Sequence, residues 1–423
     1  MVWVVTWYCS PALRTGKGRG REGGGLYPEL GILGFLEGKS PALVRSLGSL
    51  CAQMPSYAAV HTHLREEGSR LTLKEVHGIG VHLGQAVLAY RNQEIELYRQ
   101  GKLPPGQLQD GQGKRFGVQV DGGRIKIRRT TRHQKGRGAA KTQKRRYRSE
   151  WREPKVLIVY EMDAQGNLKA GTQPCIDGTL GGPDQIMEIL ALRLHQMGAA
   201  QAEVVAFRSD GAPWIWDRLD WVIQRVGLKP RQVSRGLDWP HAVHHVSLAL
   251  EKVLEGAERT RVFKKFRKWL KAGRWEKVVS ELTALGTQAE LPPKSEYWTA
   301  TDYLEAHGAA GHLAYATFRR RRLPLGSGAI ESTIRRVVNL RLKGPSLHWV
   351  EPNADGMMAL RSLVVSGRWP ETFAKILAWH ATNRRLDQKM NWPDMTAQLN
   401  ANTPIKPPWP QHPSPQGTSE SAA

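Results

Sequence analysis

The apolar positions of this chain change period along its length, and the changes mark out its elements. From Ser40 to Gly101 three stretches carry helical spacing: SPALVRSLGSLCAQ, SYAAVHTHLREEG and TLKEVHGIGVHLGQAVLAYRNQEIELYRQG. Each opens at a Ser or Thr able to cap a helix, and Gly68 and Gly101 stand where helices stop. Three helices with a tight Gly-Ser-Arg turn predict a helix-turn-helix module over 40–110, with an ordinary helical bundle as the equal alternative. Past the linker KLPPGQLQDGQGK the pattern turns to strands: FGVQVD, RIKIRR, KVLIVYEMD, AEVVAFRSD and RQVSRGLD. Helical patterns, GPDQIMEILALRLHQMGA and WIWDRLDWVIQRVG, alternate with the later strands. Strands in succession followed by helix–strand alternation predict an α/β sheet of mixed direction.

Residues 241–322 hold no convincing strand. HAVHHVSLALEKVLEG, RTRVFKKFRKWLKAG and RWEKVVSELTALG read as amphipathic helices, so 238–322 is expected to be an all-helical insertion. It divides the sheet-forming sequence into 114–237 and 323–390, the second part opening on a long helix, SGAIESTIRRVVNLRLK. The two ends differ from the rest: 1–39 contains a Gly- and Arg-rich stretch expected to be a flexible basic arm, and the Pro- and Ser-rich tail, 391–423, is expected to be disordered.

Composition narrows the function. With 423 residues, 40% of them hydrophobic, the chain has material for two or three domains and a large core. Its 62 Lys and Arg against 38 Asp and Glu leave a formal charge of +24, which favours a polyanionic partner, nucleic acid first. The excess is concentrated: 124–152 carries thirteen Lys and Arg against Glu150, and 259–277 nine against Glu276. The first run is expected to form a loop or β-ribbon that binds phosphates, a solvated charged face being the alternative. Cys9, Cys51 and Cys175 lie far apart without a CxxC pair, which excludes a disulfide scaffold and a cysteine zinc ribbon. No stretch approaches the ~18 apolar residues of a membrane span, so a cytoplasmic protein without a membrane partner is expected.

Three carboxylates stand out by position. Asp121 ends the first strand pattern, Asp210 ends VVAFRSD, and Glu331 lies on the helix after the insertion. Carboxylates at strand ends of an open α/β sheet sit where such sheets bind ligands. Each has a plainer reading: Asp121 in a hairpin turn before Gly122-Gly123, Asp210 in a strand-to-helix turn, Glu331 paired with Arg335 at i+4. Gathered together, they would suit divalent cations and phosphoryl transfer, because hard Mg²⁺ prefers oxygen ligands and two ions can stabilise both attacking and leaving oxygens. His241 and His245 are i,i+4 on one helix, but a third ligand at zinc spacing is missing, so His241 is expected to place substrate. Trp214 and Trp221 read as core. Trp239 and Trp349 could stack on a base, with core packing the stronger expectation.

The segments DGGR, SDGAPWIWDRLDW, LDWPHAVHH and LPLGSGAIESTIRRVVNLRLKGPSLHW resemble the DDE transposases of bacterial insertion sequences, in particular the Kra-type group related to Mutator-like elements. The likeness runs over roughly residues 26–390. It implies a ribonuclease-H-like catalytic sheet interrupted by a helical insertion, behind an N-terminal helical domain. It also implies Asp121, Asp210 and Glu331 as the triad that binds Mg²⁺ or Mn²⁺, two ions in all. Asp238-Trp-Pro-His241 matches the (C/D)xxH motif that follows the second catalytic Asp. The implied partners are double-stranded DNA, as terminal inverted repeats and as target, and further copies of the chain in a synaptic complex within a bacterial, nucleoid-associated cytoplasm. Expected DNA contacts are Arg124, Lys126, Arg128, Arg129, Lys144, Arg145 and Arg146 in the first basic run, and Arg335, Arg341 and Lys343 after Glu331. Two features depart from the group: only Cys9 stands where relatives carry an upstream cysteine-rich zinc segment, and Trp239-Pro240 replaces an aromatic and a cysteine. Cleavage without joining, as in a nuclease or resolvase, and a DNA-binding remnant without catalysis remain the alternatives.

Overall fold

Seven strands and thirteen named helices make up the part of the chain that the computed structural model describes, residues 39–130, 147–344 and 347–383. The strands are β1 Arg115–Gly122, β2 Ile125–Thr130, β3 Tyr147–Arg152, β4 Lys155–Glu161, β5 Cys175–Thr179, β6 Val204–Ser209 and β7 Val233–Leu237. Five of them form one sheet in the order β5-β4-β1-β6-β7. β1 runs antiparallel to β4 and parallel to β6; β4 and β5 are antiparallel, β6 and β7 parallel. The sheet is therefore mixed, as the pattern predicts. β4 and β6 are buried along their whole length, which is why they read as unbroken apolar runs rather than as alternating ones.

Helices cover both faces. α4 (Pro183–Gln196) and α5 (Pro213–Val226) bury Ile186, Leu190 and Val222 against Val118, Val120 and Phe207. Successive strand residues point to opposite faces, so Gln119 and Asp121 of β1 look the other way, toward α11 (Gly328–Ile334). β2 and β3 pair separately as a two-stranded ribbon, extended by Trp349, whose backbone bonds to Lys126 and Arg128. The ribbon reading of 124–152 thus holds for its described parts. Lys144, Arg145 and Arg146 lie outside the described residues, as do most of the N-terminal arm and the 391–423 tail.

The N-terminal helices are α1 Pro41–Gln53, α2 Tyr57–Glu66 and α3 Leu73–Arg99. Ser40 and Ser56 cap the first two through their hydroxyls, and Thr72 forms a capping box with Glu75. These helices are built into the sheet-bearing unit rather than set apart from it. α3 crosses α12 (Glu351–Val365) where Gly84 meets Gly356 backbone to backbone, a spot with no space for a side chain. Arg91 of α3 donates to Asp177 of β5 at 2.8 Å, and Arg193 of α4 binds Asp177 and Glu94 at 2.8 Å each. Burial works against the charge of Asp177, but Arg91 and Arg193 hold its carboxyl down to about 2. α3 is buried along one side, through Val76, Ile79, Leu83, Val87 and Ile95, and exposes Lys74 and His77 in its first turns.

Between β7 and α11 the chain is helical: α6 Trp239–Glu251, α7 Gly256–Lys271, α8 Trp275–Gln288, α9 Glu296–Ala309 and α10 Tyr315–Arg320. The return to the sheet is tied down by a buried arginine. Arg208 of β6 donates to Pro324 O at 2.6 Å and to Ser234 O at 3.1 Å, and lies 4.1 Å over the ring of Phe318. The long helix expected after the insertion is α-helical for seven residues, then widens into a π-turn at Arg335–Asn339. α13 (Trp369–Asn383) closes the described chain. Among the described residues no helix is long and apolar enough to cross a membrane, and Cys51 and Cys175 are free and buried.

Candidate active site

Asp121 lies near the end of β1 and Asp210 directly follows β6. Because β1 and β6 are parallel neighbours, both carboxylates leave the sheet at the same edge. Glu331 enters from above this edge, in the first turn of α11. Their closeness shows in the charge balance of Asp121. Burial pushes its carboxyl up to about 6; the N–H of Gly122 draws it back, while the charges of Asp210 and Glu331 raise it further. Among the described residues none of the three is in an ion pair, and the positive group that acts on Asp121 is His241.

Two of the three plainer readings fail. β1 and β2 are not paired, so Asp121 shapes no hairpin; its Oδ1 accepts its neighbour's N–H, Gly122, at 2.6 Å. Glu331 makes no bridge to Arg335, and its Oε1 accepts from the Ser327 hydroxyl at 3.0 Å. Asp210 does shape the strand-to-helix turn, accepting the Ala212 N–H at 3.3 Å, and its carbonyl accepts from Trp216 Nε1 at 2.7 Å.

The supporting groups are as informative as the carboxylates. Gln119, buried and two residues before Asp121 on the same face, accepts the Ile330 N–H at 2.9 Å and donates to Gly326 O at 3.0 Å. It thereby locks the start of α11, and Glu331 with it, onto β1. Asp238 is fully buried: one oxygen accepts the Ser327 N–H, the other accepts from His241 Nδ1 at 2.6 Å. A continuous chain of hydrogen bonds runs His241–Asp238–Ser327–Glu331. The bond to Asp238 raises the His241 pKa against the effect of its burial, and the charges of Asp210 and Asp121 add to the rise. Tyr303 of α9 packs its hydroxyl on Gly211, beside Asp210, and stacks on His245 at 3.7 Å. His241 and His245 thus face different neighbours, Asp238 and Tyr303. Gln119, Ser327 and Tyr303 carry no sequence signal of their own; they are polar residues in otherwise ordinary strand, loop and helix patterns.

No protein family, curated protein or solved structure matches this chain.

The three carboxylates offer oxygen donors only, the chemistry a hard divalent cation takes. Their spacing leaves the ligand set open: among the described residues no three His, Cys, Asp or Glu side chains are drawn together tightly enough to hold an ion. Each of the three spends an oxygen on a local hydrogen bond, to Gly122, Ala212 or Ser327.

The expected DNA contacts divide. Arg124 and Arg128 are exposed in and beside the ribbon, and Lys126 lies 5.2 Å over the ring of Trp151. Arg129 is held by Glu150 at 2.8 Å and Glu351 at 3.4 Å. Arg335 and Lys343 are exposed. Arg341 is a correction: it is 2% exposed, donates to Cys51 O at 3.0 Å and lies between Tyr57 and Trp349, 5.0 Å from each ring. Packing of α1 and α2 over it turns an apparent surface cation into a strut. Trp349 is likewise buried, its Nε1 donating to Leu342 O, and Trp239 packs edge-on against Tyr315. Among the described residues, the tryptophan left exposed is Trp151, on the ribbon.

Proposed function

We propose that this protein is a DNA transposase of the DDE type, cutting the ends of a mobile element and joining them to a target. The observation that carries the reading is that Asp121 and Asp210 stand at the same ends of neighbouring parallel strands and that the charges of Asp210 and Glu331 act on Asp121, although 210 − 121 = 89 and 331 − 210 = 121 residues separate them. The mixed sheet, with five helices between β7 and α11, supports a ribonuclease-H-like core carrying a helical insertion.

On this reading Asp121, Asp210 and Glu331 would hold Mg²⁺ or Mn²⁺ once drawn closer together, and the ion would supply positive charge to a phosphodiester. The residues of the chain do the positioning. Gln119 and Ser327 hold Glu331 in place, and Asp238 orients His241 and favours its cationic form beside the carboxylates. Arg124, Lys126 and Arg128 of the ribbon neutralise phosphates, and Trp151 offers a face on which an unpaired base can stack.

Asp210→Asn tests the assignment. It should abolish cleavage of a duplex bearing the terminal repeats while leaving binding of that duplex unchanged, and a strand-transfer assay on the wild type separates joining from cutting alone. Equal loss of binding and cleavage would make Asp210 a purely structural residue and sink the reading.

A further inference from the structure

The second basic run lies on α7 and runs into the start of α8. Of its nine cations, Arg259, Arg261 and Lys265 are paired with Glu251, Glu258 and Glu281. Lys264, Arg267, Lys268 and Lys271 are exposed on the outer side of α7, opposite the buried Phe266 and Leu270, without an acidic partner among the described residues. A second cationic segment reaches the same place from elsewhere in the chain. The turn that ends α7 packs on α10, with Gly273 in contact range of Ala316, and α10 leads into Arg319 and Arg320, both exposed and likewise without an acidic partner among the described residues. A surface that merely stays hydrated carries both signs of charge; beyond the paired cations, these six side chains carry a single sign from two segments about fifty residues apart.

Its position in the fold is set by Arg115. This residue opens β1 and donates to the carbonyls of Arg321 and Arg322 at 2.6 and 2.8 Å, so the cationic surface adjoins the start of β1. Asp121 lies six residues further along the strand, on the order of 20 Å away at ~3.3 Å per residue. At ~3.4 Å per base pair that distance corresponds to about six base pairs.

We propose that α7 and α10 form a second docking surface for the phosphate backbone of duplex DNA, its α10 end separated by about the length of β1 from the phosphate at the carboxylates. The location of that phosphate rests on the reading given above; the surface itself does not. It grips the backbone through point charges on one helix and one helix end, with no group placed to read bases, so its binding is independent of sequence.

Salt dependence tests it in the full chain. A variant combining Lys264→Gln, Arg267→Gln, Lys268→Gln, Lys271→Gln, Arg319→Gln and Arg320→Gln is compared with the wild type on duplexes of ~12 and ~40 base pairs, with unaltered circular dichroism as the check on folding. On the long duplex the slope of log affinity against log salt should fall by about 0.9 for each phosphate no longer neutralised, roughly 3–5 in all, and on the short duplex, whose ~12 base pairs also reach the surface, it should fall as well. A second variant with Lys264, Lys268 and Lys271 changed to Arg should keep the wild-type slope. An unchanged slope on the long duplex would overturn the proposal. So would unchanged DNA binding with abolished binding to vesicles of anionic phospholipid, which would give the surface to a membrane. Because binding needs no cleavage, the result stands whatever Asp210→Asn shows.

Discussion

Gln119 accepts the backbone N–H of Ile330 at 2.9 Å across 211 residues of sequence, and this bond, with its companion to Gly326 O, joins the strand that carries Asp121 to the helix that carries Glu331. The bond to Ile330 is buried, where an unmade hydrogen bond costs most, and the bond to Gly326 O is partly buried.

Gln119→Leu should therefore cost on the order of 1–2 kcal/mol, since Gly326 O loses its Gln119 donor and the Ile330 N–H is left with Ser327 O alone, and should lower the cleavage rate while DNA affinity holds. Chemical denaturation paired with separate binding and turnover measurements checks both halves. A normal cleavage rate in a destabilised protein would show that α11 is positioned by other contacts.

Asp121 links the site to pH. Its carboxyl titrates near 6, above the ordinary 3.8, so the folded state holds a proton that the unfolded chain releases. The stability this contributes is complete below about pH 4 and is lost as pH rises through 6. Asp121→Asn should accordingly be more stable than the wild type at pH 7.5, by on the order of 1–2 kcal/mol after allowing for solvent screening, with the difference gone at pH 4. Thermal melts at the two pH values measure it. Cleavage by the wild type should fall as pH drops below 6, because the protonated carboxyl no longer supplies a negative ligand. A stabilised but inactive Asp121→Asn is the signature of a site that trades stability for function.

Arg341 and Arg335 make a contrasting pair on one stretch of chain. Arg341→Ala removes a buried guanidinium bonded to Cys51 O and packed on Tyr57 and Trp349, and should lower stability by about 2–4 kcal/mol. Arg335→Ala, on an exposed position, should leave stability within about 0.5 kcal/mol and reduce the salt slope of DNA binding by about 0.9. Reversed results would return Arg341 to the DNA-contacting surface.

Much of this architecture is written locally. Ser40, Ser56 and Thr72 cap the helices that open at them, because a cap bond spans three residues. The buried strands β4 and β6 announce themselves as apolar runs, and helices α4 to α8 follow their periodicity to within a few residues. β5 has no such signature: CIDGT is five residues long and contains Asp177, whose charge is acceptable in a buried strand only because Arg91 and Arg193 come to it from two helices.

Short-range pattern was therefore enough for the caps, the strand cores, the helical stretch after β7 and the placing of Asp121 and Asp210 at strand ends, since each of these depends on neighbours within a turn or a strand. Four outcomes emerged only with the packed fold: β6 lies parallel beside β1, Gln119 holds α11, Arg341 is buried, and α7 meets α10. They depend on which surfaces come into contact once the chain has folded, and residues so far apart in sequence leave no local pattern from which contact can be read.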